Sequence, residues 1–165
     1  MTGAYLGLGS NLGDRLAMLQ RAADLLGATP GIEVVACSRV WETDPVGGPP
    51  QPDFLNVVLR IEATLAPDEL LAACNDVEAA LDRVRDVRWG PRTIDIDVLT
   101  IAGYVSDDPH LSVPHPRMNE RAFVLMPLLD LDADPVLSDG TRVLDLPLGP
   151  DAVGGVRPVA PPLRS

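Results

Sequence analysis

FLNVVLRIEATLAPDELLAACNDVEAALD, residues 54 to 82, carries two periodicities back to back. From Phe54 to Leu65 apolar and polar residues alternate, the period of a strand with one buried face. Pro67 suits the first position of a helix. Leu70, Leu71, Cys74, Val77 and Leu81 then recur at helical spacing as far as about Asp82. A strand feeding an amphipathic helix is therefore predicted here, and the same alternation of elements extends in both directions.

Upstream, AYLGLG (4–9) reads as a strand ending in glycines. Ser10 or Asn11 can cap a helix starting near Asp14, an acidic residue suited to a first turn. Leu16, Leu19, Ala23 and Leu26 give that helix an apolar stripe, and Gly27 suits its end. IEVVACSRVWET (32–43) is β-branched and strand-like. DPVGGPPQPD (44–53), with four prolines and two glycines, is a loop. Downstream, RWGPRTIDIDVL (88–99) contains a further strand. SDDPHLSVPHP (106–116) is a loop with a short strand in it. MNERAFVLMPLLDL (118–131) is expected to be helical in pieces, interrupted near Pro127. The Pro/Gly-rich tail from about 147 is expected to be loosely ordered. The resulting β-α-β-β-α-β order is the split β-α-β pattern of a ferredoxin-like core. It predicts an α+β domain with a largely antiparallel sheet and helices on one face, and 165 residues suit one domain.

Charge narrows the function. The net charge of −11 argues against general binding to nucleic acid or an anionic membrane. All 13 basic residues are arginine, so a Walker A lysine and a Schiff-base lysine are both excluded. Arg83, Arg85, Arg88 and Arg92 fall within ten residues, a local concentration suited to an anion site. No apolar run reaches the roughly 18 residues of a membrane span. MTGAYLGLGSNLGDR has neither a basic start nor a cleavage site, so a cytoplasmic protein is expected. Cys37 and Cys74 lack metal-ligand spacing and are expected to be free thiols.

Gly7, Gly9 and Gly13 follow a strand and precede a helix, but their spacing is G-x-G-x-x-x-G. The second strand also ends, at Val35 to Ser38, without the acidic residue that holds a ribose. A dinucleotide fold is not indicated, and a tight strand-to-helix turn accounts for the glycines. In TIDIDVL, Ile94, Ile96 and Val98 share one strand face, and Thr93, Asp95 and Asp97 share the other. The two carboxylates lie about 6.6 Å apart along the strand. They are either its solvated face or a seat for hard cations with phosphate ligands. Arg88, Trp89 and Arg92 immediately before them favour a nucleotide site.

Taken together, YLGLGSNLGDR, TDPVGGPPQPDFLNVV, DRVRDVRWGPRTIDIDVL and LSVPHPRMNERAFVLMPL resemble the 6-hydroxymethyl-7,8-dihydropterin pyrophosphokinases of folate biosynthesis, in order over residues 4 to 131. The resemblance implies transfer of the β,γ-diphosphate of ATP to the pterin hydroxymethyl oxygen, leaving AMP, in a chain expected to be monomeric. It implies two Mg²⁺ ions bridged by Asp95 and Asp97. Arg83 and Arg92 match catalytic-loop arginines that engage the phosphates, and Arg85 and Trp89 belong to the same loop. His115 matches a phosphate-contacting histidine and Arg121 a nucleotide-side arginine, whereas His110 has no match and reads as a surface residue. Asn75 and Glu78 match positions lining the ATP site, with Asn75 replacing a longer Gln. The pterin is implied to stack between Phe54 and Phe123. Asn56 and the backbone of Thr43, Pro45 and Gly47 would complement its pyrimidinone edge. Two departures stand out: Pro116 occupies a position where Tyr is common, and Phe54 lacks a hydroxyl often present there.

Two other classes compete. A ferredoxin-like regulatory module that binds small molecules would need neither the aspartates nor the arginine cluster. A metal-dependent phosphohydrolase would need neither the stacked phenylalanines nor Asn56.

Overall fold

The computed structural model describes residues 1–11, 13–44, 53–81, 94–118, 122–146 and 156–164. One sheet contains β1 (Thr2–Ser10), β2 (Ile32–Cys37), β3 (Val40–Thr43), β4 (Phe54–Ala63), β5 (Asp95–Ile101) and β8 (Val156–Ala160). The helices are α1 (Arg15–Ala28), α2 (Pro67–Leu81) and α3 (Ala122–Leu131), and β6 (Ser106–Asp108) pairs with β7 (Leu111–Val113) in a separate hairpin. The sheet order is β5-β1-β4-β3-β8, with β2 also on β4, and the pairings are antiparallel. Counting β2 and β3 as one interrupted strand gives the order that a split β-α-β core requires.

The expected single strand over 32–43 is broken at Ser38 and Arg39. Its ladder to β4 survives because Ser38 supplies a side-chain acceptor. The Ser38 amide donates to the Val58 carbonyl, and the Val58 amide donates to Ser38 Oγ at 2.9 Å. α1 also begins differently from expectation. Asp14, not Ser10 or Asn11, is its cap, accepting from the Ala17 amide at 3.1 Å. The buried stripe is accordingly Leu19, Ala22, Ala23 and Leu26, and Leu16 is exposed. The helix also runs past Gly27 to Ala28. The left-handed turn falls instead on Gly31, at φ 90°.

Both faces of the sheet are covered, α1 and α2 lying on one and the C-terminal segments, α3 included, on the other. Leu6, Leu8, Leu55, Val57, Leu59, Ile61, Ile94, Ile96 and Val98 pack under α1 and α2. On the other face Val58 and Leu99 pack with Met118, Val124, Leu125, Leu128, Leu137 and Val143. Leu99 reaches that face by the same alternation as Asp95 and Asp97, and a bulge there resets the ladder: Leu6 pairs with Val98 and Tyr5 with Thr100, which returns Ile101 to the first face. α3 is apolar nearly all round, so it is stable only where two layers enclose it. It continues through Pro127 where an interruption was expected, because tertiary burial outweighs the lost helical bond. The Pro/Gly-rich tail is likewise not loose over Val156–Ala160, which add β8 to the edge of β3.

Among the described residues, no helix is long and apolar enough to cross a membrane. Cys37 and Cys74 are free thiols, as expected.

Candidate active site

Strand register assembles the site. Asp95 pairs with Gly9, Gly9 with Asn56 and Asn56 with Trp41, making one row across four strands. The next row sets Asp97 beside Gly7 and Gly7 beside Val58. Paired residues share a face, so both aspartates, both glycines, Asn56 and Phe54 all lie on the face that α3 covers. Adjacent strands are about 4.8 Å apart, so Asp95 and Asn56, two strands apart, are separated by about 10 Å. Between them the floor has no side chains.

Gly7 and Gly9 are thus residues of β1, not of a strand-to-helix turn; only Gly13 beyond the strand has positive φ, at 68°. A Cβ on Gly9 would lie 2.9 Å from Asn56 Oδ1 and 3.8 Å from the Phe54 ring. The absent side chains are what open the cleft. The sequence signal was available: glycine at alternate positions inside a strand marks close approach on one face.

On the far wall, buried Asn56 donates from Nδ2 to Thr43 Oγ1 at 2.7 Å. That bond fixes the amide, leaving Oδ1 over Gly9 and one N–H for a ligand. Phe54 pairs with Thr43, and its ring borders Gly9. Phe123, on α3, packs against the Val58 and Leu99 cluster. The structure therefore brings Thr43, Phe54, Asn56 and Phe123 to one face.

On the near wall, Asp95 and Asp97 are half-buried. β5 is an edge strand, and Glu78 of α2 covers its free side by accepting from the Ile96 amide at 2.8 Å. Glu78 holds the backbone between the two aspartates, a role the resemblance did not suggest. Asn75, one turn earlier, is exposed. Burial, reinforced by the Glu78 and Asp97 carboxylates, pushes the nearby Cys74 thiol up to about 12, so it stays protonated.

His115 reaches the same wall from the turn after β7. Its amide donates to the Leu99 carbonyl at 2.8 Å, and its Nδ1 accepts from the Arg117 amide at 3.2 Å. An accepting Nδ1 puts the imidazole proton on Nε2. Nε2 sits 3.9 Å from Asp97 Oδ1. His110 is exposed, as expected. Arg83, Arg85, Trp89, Arg92, Arg121, Pro45 and Gly47 lie outside the described residues.

Asp95 and Asp97 suit a hard cation. Both carry carboxylate oxygens on one face, beside the glycines of β1. Among the described residues no set of three His, Cys, Asp or Glu side chains could hold a metal alone. Two carboxylates completed by substrate phosphate and water is the arrangement Mg²⁺ favours.

A carboxylate edge thus faces an aromatic and amide wall on a split β-α-β sheet. Comparison with known proteins gives the class: residues 5–133 match the model of the 7,8-dihydro-6-hydroxymethylpterin-pyrophosphokinase (HPPK) family, and the chain belongs to that family. It is 52% identical over 141 residues to the 2-amino-4-hydroxy-6-hydroxymethyldihydropteridine pyrophosphokinase of Methylorubrum extorquens, covering 86% of this chain and 89% of that one. The protein of that name from Bacillus subtilis is 46% identical over 128 residues, covering 78% and 77%. Among solved structures, wild-type Plasmodium falciparum HPPK-DHPS shares the fold at a TM-score of 0.59 and 15% identity, covering 79% of this chain and 40% of that one.

Proposed function

We infer that this chain transfers the β,γ-diphosphate of ATP to the hydroxymethyl oxygen of 6-hydroxymethyl-7,8-dihydropterin, giving the pterin diphosphate and AMP in folate biosynthesis. The observation that carries the reading is the row Asp95, Gly9, Asn56, which sets a phosphate-side wall and a ring-side wall across a bare floor. Phe54 and Phe123 offer faces for stacking. Asn56, locked by Thr43, presents an acceptor and a donor to the amide-like edge of the ring. Ring binding therefore orients the hydroxymethyl group toward β5, so reacting atoms meet without a search over orientations.

Asp95 and Asp97 would hold Mg²⁺, two ions by family resemblance, which when bound neutralises diphosphate charge and makes the hydroxyl more acidic. Glu78 keeps the two carboxylates at strand spacing by holding the Ile96 amide. His115 Nε2–H is placed to donate to a phosphate oxygen beside Asp97. Roles for Arg83, Arg85, Trp89, Arg92 and Arg121 toward the phosphates, for Asn75 toward the nucleotide, and for the backbone of Pro45 and Gly47 toward the pterin, rest on sequence resemblance. A phosphohydrolase would have no use for the ring wall. The test is product analysis with ATP, Mg²⁺ and the hydroxymethyl-dihydropterin. AMP formed one-for-one with pterin diphosphate is expected; ADP, free phosphate or no turnover overturns the assignment.

A further inference from the structure

Behind the ring wall, on the α1 face of the sheet, three carboxylates gather around two arginines. Arg157 of β8 lies directly opposite Glu42 of β3. Its Nη2 is 2.6 Å from Glu42 Oε1 and 2.9 Å from Asp53 Oδ2, and its Nη1 is 3.1 Å from Asp44 Oδ1. Arg15, at the first position of α1, donates from Nη1 to Glu42 Oε2 at 3.1 Å and to the Asp53 carbonyl at 2.8 Å. Glu42 and Asp44 flank Thr43, and Asp53 precedes Phe54. The three carboxylates thus bracket the two ring-wall residues that pair across β3 and β4.

We propose that Arg157 is a positioning residue for the pterin side of the cleft: by binding Glu42, Asp44 and Asp53 together it fixes Thr43 and Phe54, and through Thr43 the amide of Asn56. The proposal rests on the pyrophosphokinase reading for the ligand's identity. Without Arg157, Glu42 would keep Arg15 while the Asp44 and Asp53 carboxylates would lose the ion pairs that tie them to it, and repulsion among the three would spread the ends of β3 and β4. Arg157 foremost, with help from Arg15, holds the Glu42 carboxyl below its ordinary range despite partial desolvation. The clamp comes from the C-terminal strand, so it couples that strand to substrate recognition on the opposite face of the sheet.

The test compares steady-state kinetics of the full chain with R157Q, and with R142Q as a control in an ion pair elsewhere on the surface. R157Q is expected to raise the KM for pterin about tenfold, the loss of roughly one charge-assisted hydrogen bond at the wall. The KM for ATP and kcat should stay within about twofold, and R142Q should match the parent in all three. Adding E42Q to R157Q should recover part of the pterin KM by relieving repulsion. An unchanged pterin KM overturns the proposal. So does a fall of all constants in step with melting temperature, or further damage from E42Q. If the parent forms no AMP, the functional reading fails, and amide hydrogen exchange decides the clamp by itself. R157Q should then accelerate exchange at residues 43 and 54–56, whereas unchanged exchange there refutes it.

Discussion

Replacing Gly9 by alanine probes the cleft with a single methyl group. The new Cβ would sit 2.9 Å from Asn56 Oδ1, so that oxygen must retreat by about 0.5 Å to reach an ordinary contact. Retreat is resisted, because Asn56 is buried and its Nδ2 is already bonded to Thr43 Oγ1 at 2.7 Å. Overpacking of this kind costs about 1–3 kcal/mol. Weakening the Asn56–Thr43 bond adds up to about 1 kcal/mol. The strand regains about 0.5–1 kcal/mol from losing a glycine. The balance is a loss of up to about 3.5 kcal/mol, or a melting point lower by up to roughly 10 °C. Displacing the amide that meets the ring should raise the KM for pterin by about tenfold or more, with the KM for ATP nearly unchanged. Differential scanning calorimetry and two-substrate kinetics measure both quantities. Gly7→Ala serves as the comparison, since its Cβ would meet the Leu99 methyls at 3.3 and 3.4 Å, a milder crowding than the 2.9 Å at Gly9 and one that leaves Asn56 untouched. A G9A protein with the parent's melting point and pterin KM would refute the bare-floor reasoning.

Asp97 is partly exposed, so Asp97→Ala should leave the circular dichroism spectrum and melting curve close to the parent while lowering turnover by at least about a thousandfold; an active variant would refute its role. Burial opposes ionisation of Asp130, but hydrogen bonds from Arg39, Trp41 and the Arg39 amide outweigh it and hold its carboxyl below the usual range. With the folded value depressed, the stabilisation is full above the unfolded carboxylate value of about 4 and is lost as pH falls past it. Denaturant midpoints should therefore fall between about pH 5 and pH 3, and less steeply in Asp130→Asn; equal slopes would contradict the pairing. At pH 8 the Cys74 thiol should resist alkylation in the native protein and react once unfolded, and native labelling at the rate of a free thiol would count against its burial.

Several features were legible because they depend on neighbours in sequence. Alternation over 54–63 and helical spacing over 67–81 each report which face is apolar, and the elements formed there within a residue or two. The same alternation put Asp95 and Asp97 on one face and Ile94, Ile96 and Val98 on the other, as the structure has them. The cap of α1 was not legible, since Ser10, Asn11 and Asp14 all qualify locally; Ser10 is taken up by β1, and the helix starts only at Arg15. The path of α3 through Pro127 was hidden too, because propensity registers the lost bond but not the burial that offsets it.

The residues of the candidate site were therefore written in the chain: a D-x-D strand, an aromatic and an amide two apart, a histidine between prolines. Their distance from one another was not. Only tertiary pairing put β1 between β4 and β5, turning Gly7 and Gly9 into a floor with Asn56 on one side and the aspartates on the other. Only the sheet edge gave Glu78 a free amide to hold, and only the return of β8 brought Arg157 opposite Glu42 across more than a hundred residues of chain. Periodicity is a local property and reveals faces; register is set by the contest of all strands for partners, and it decides which faces meet.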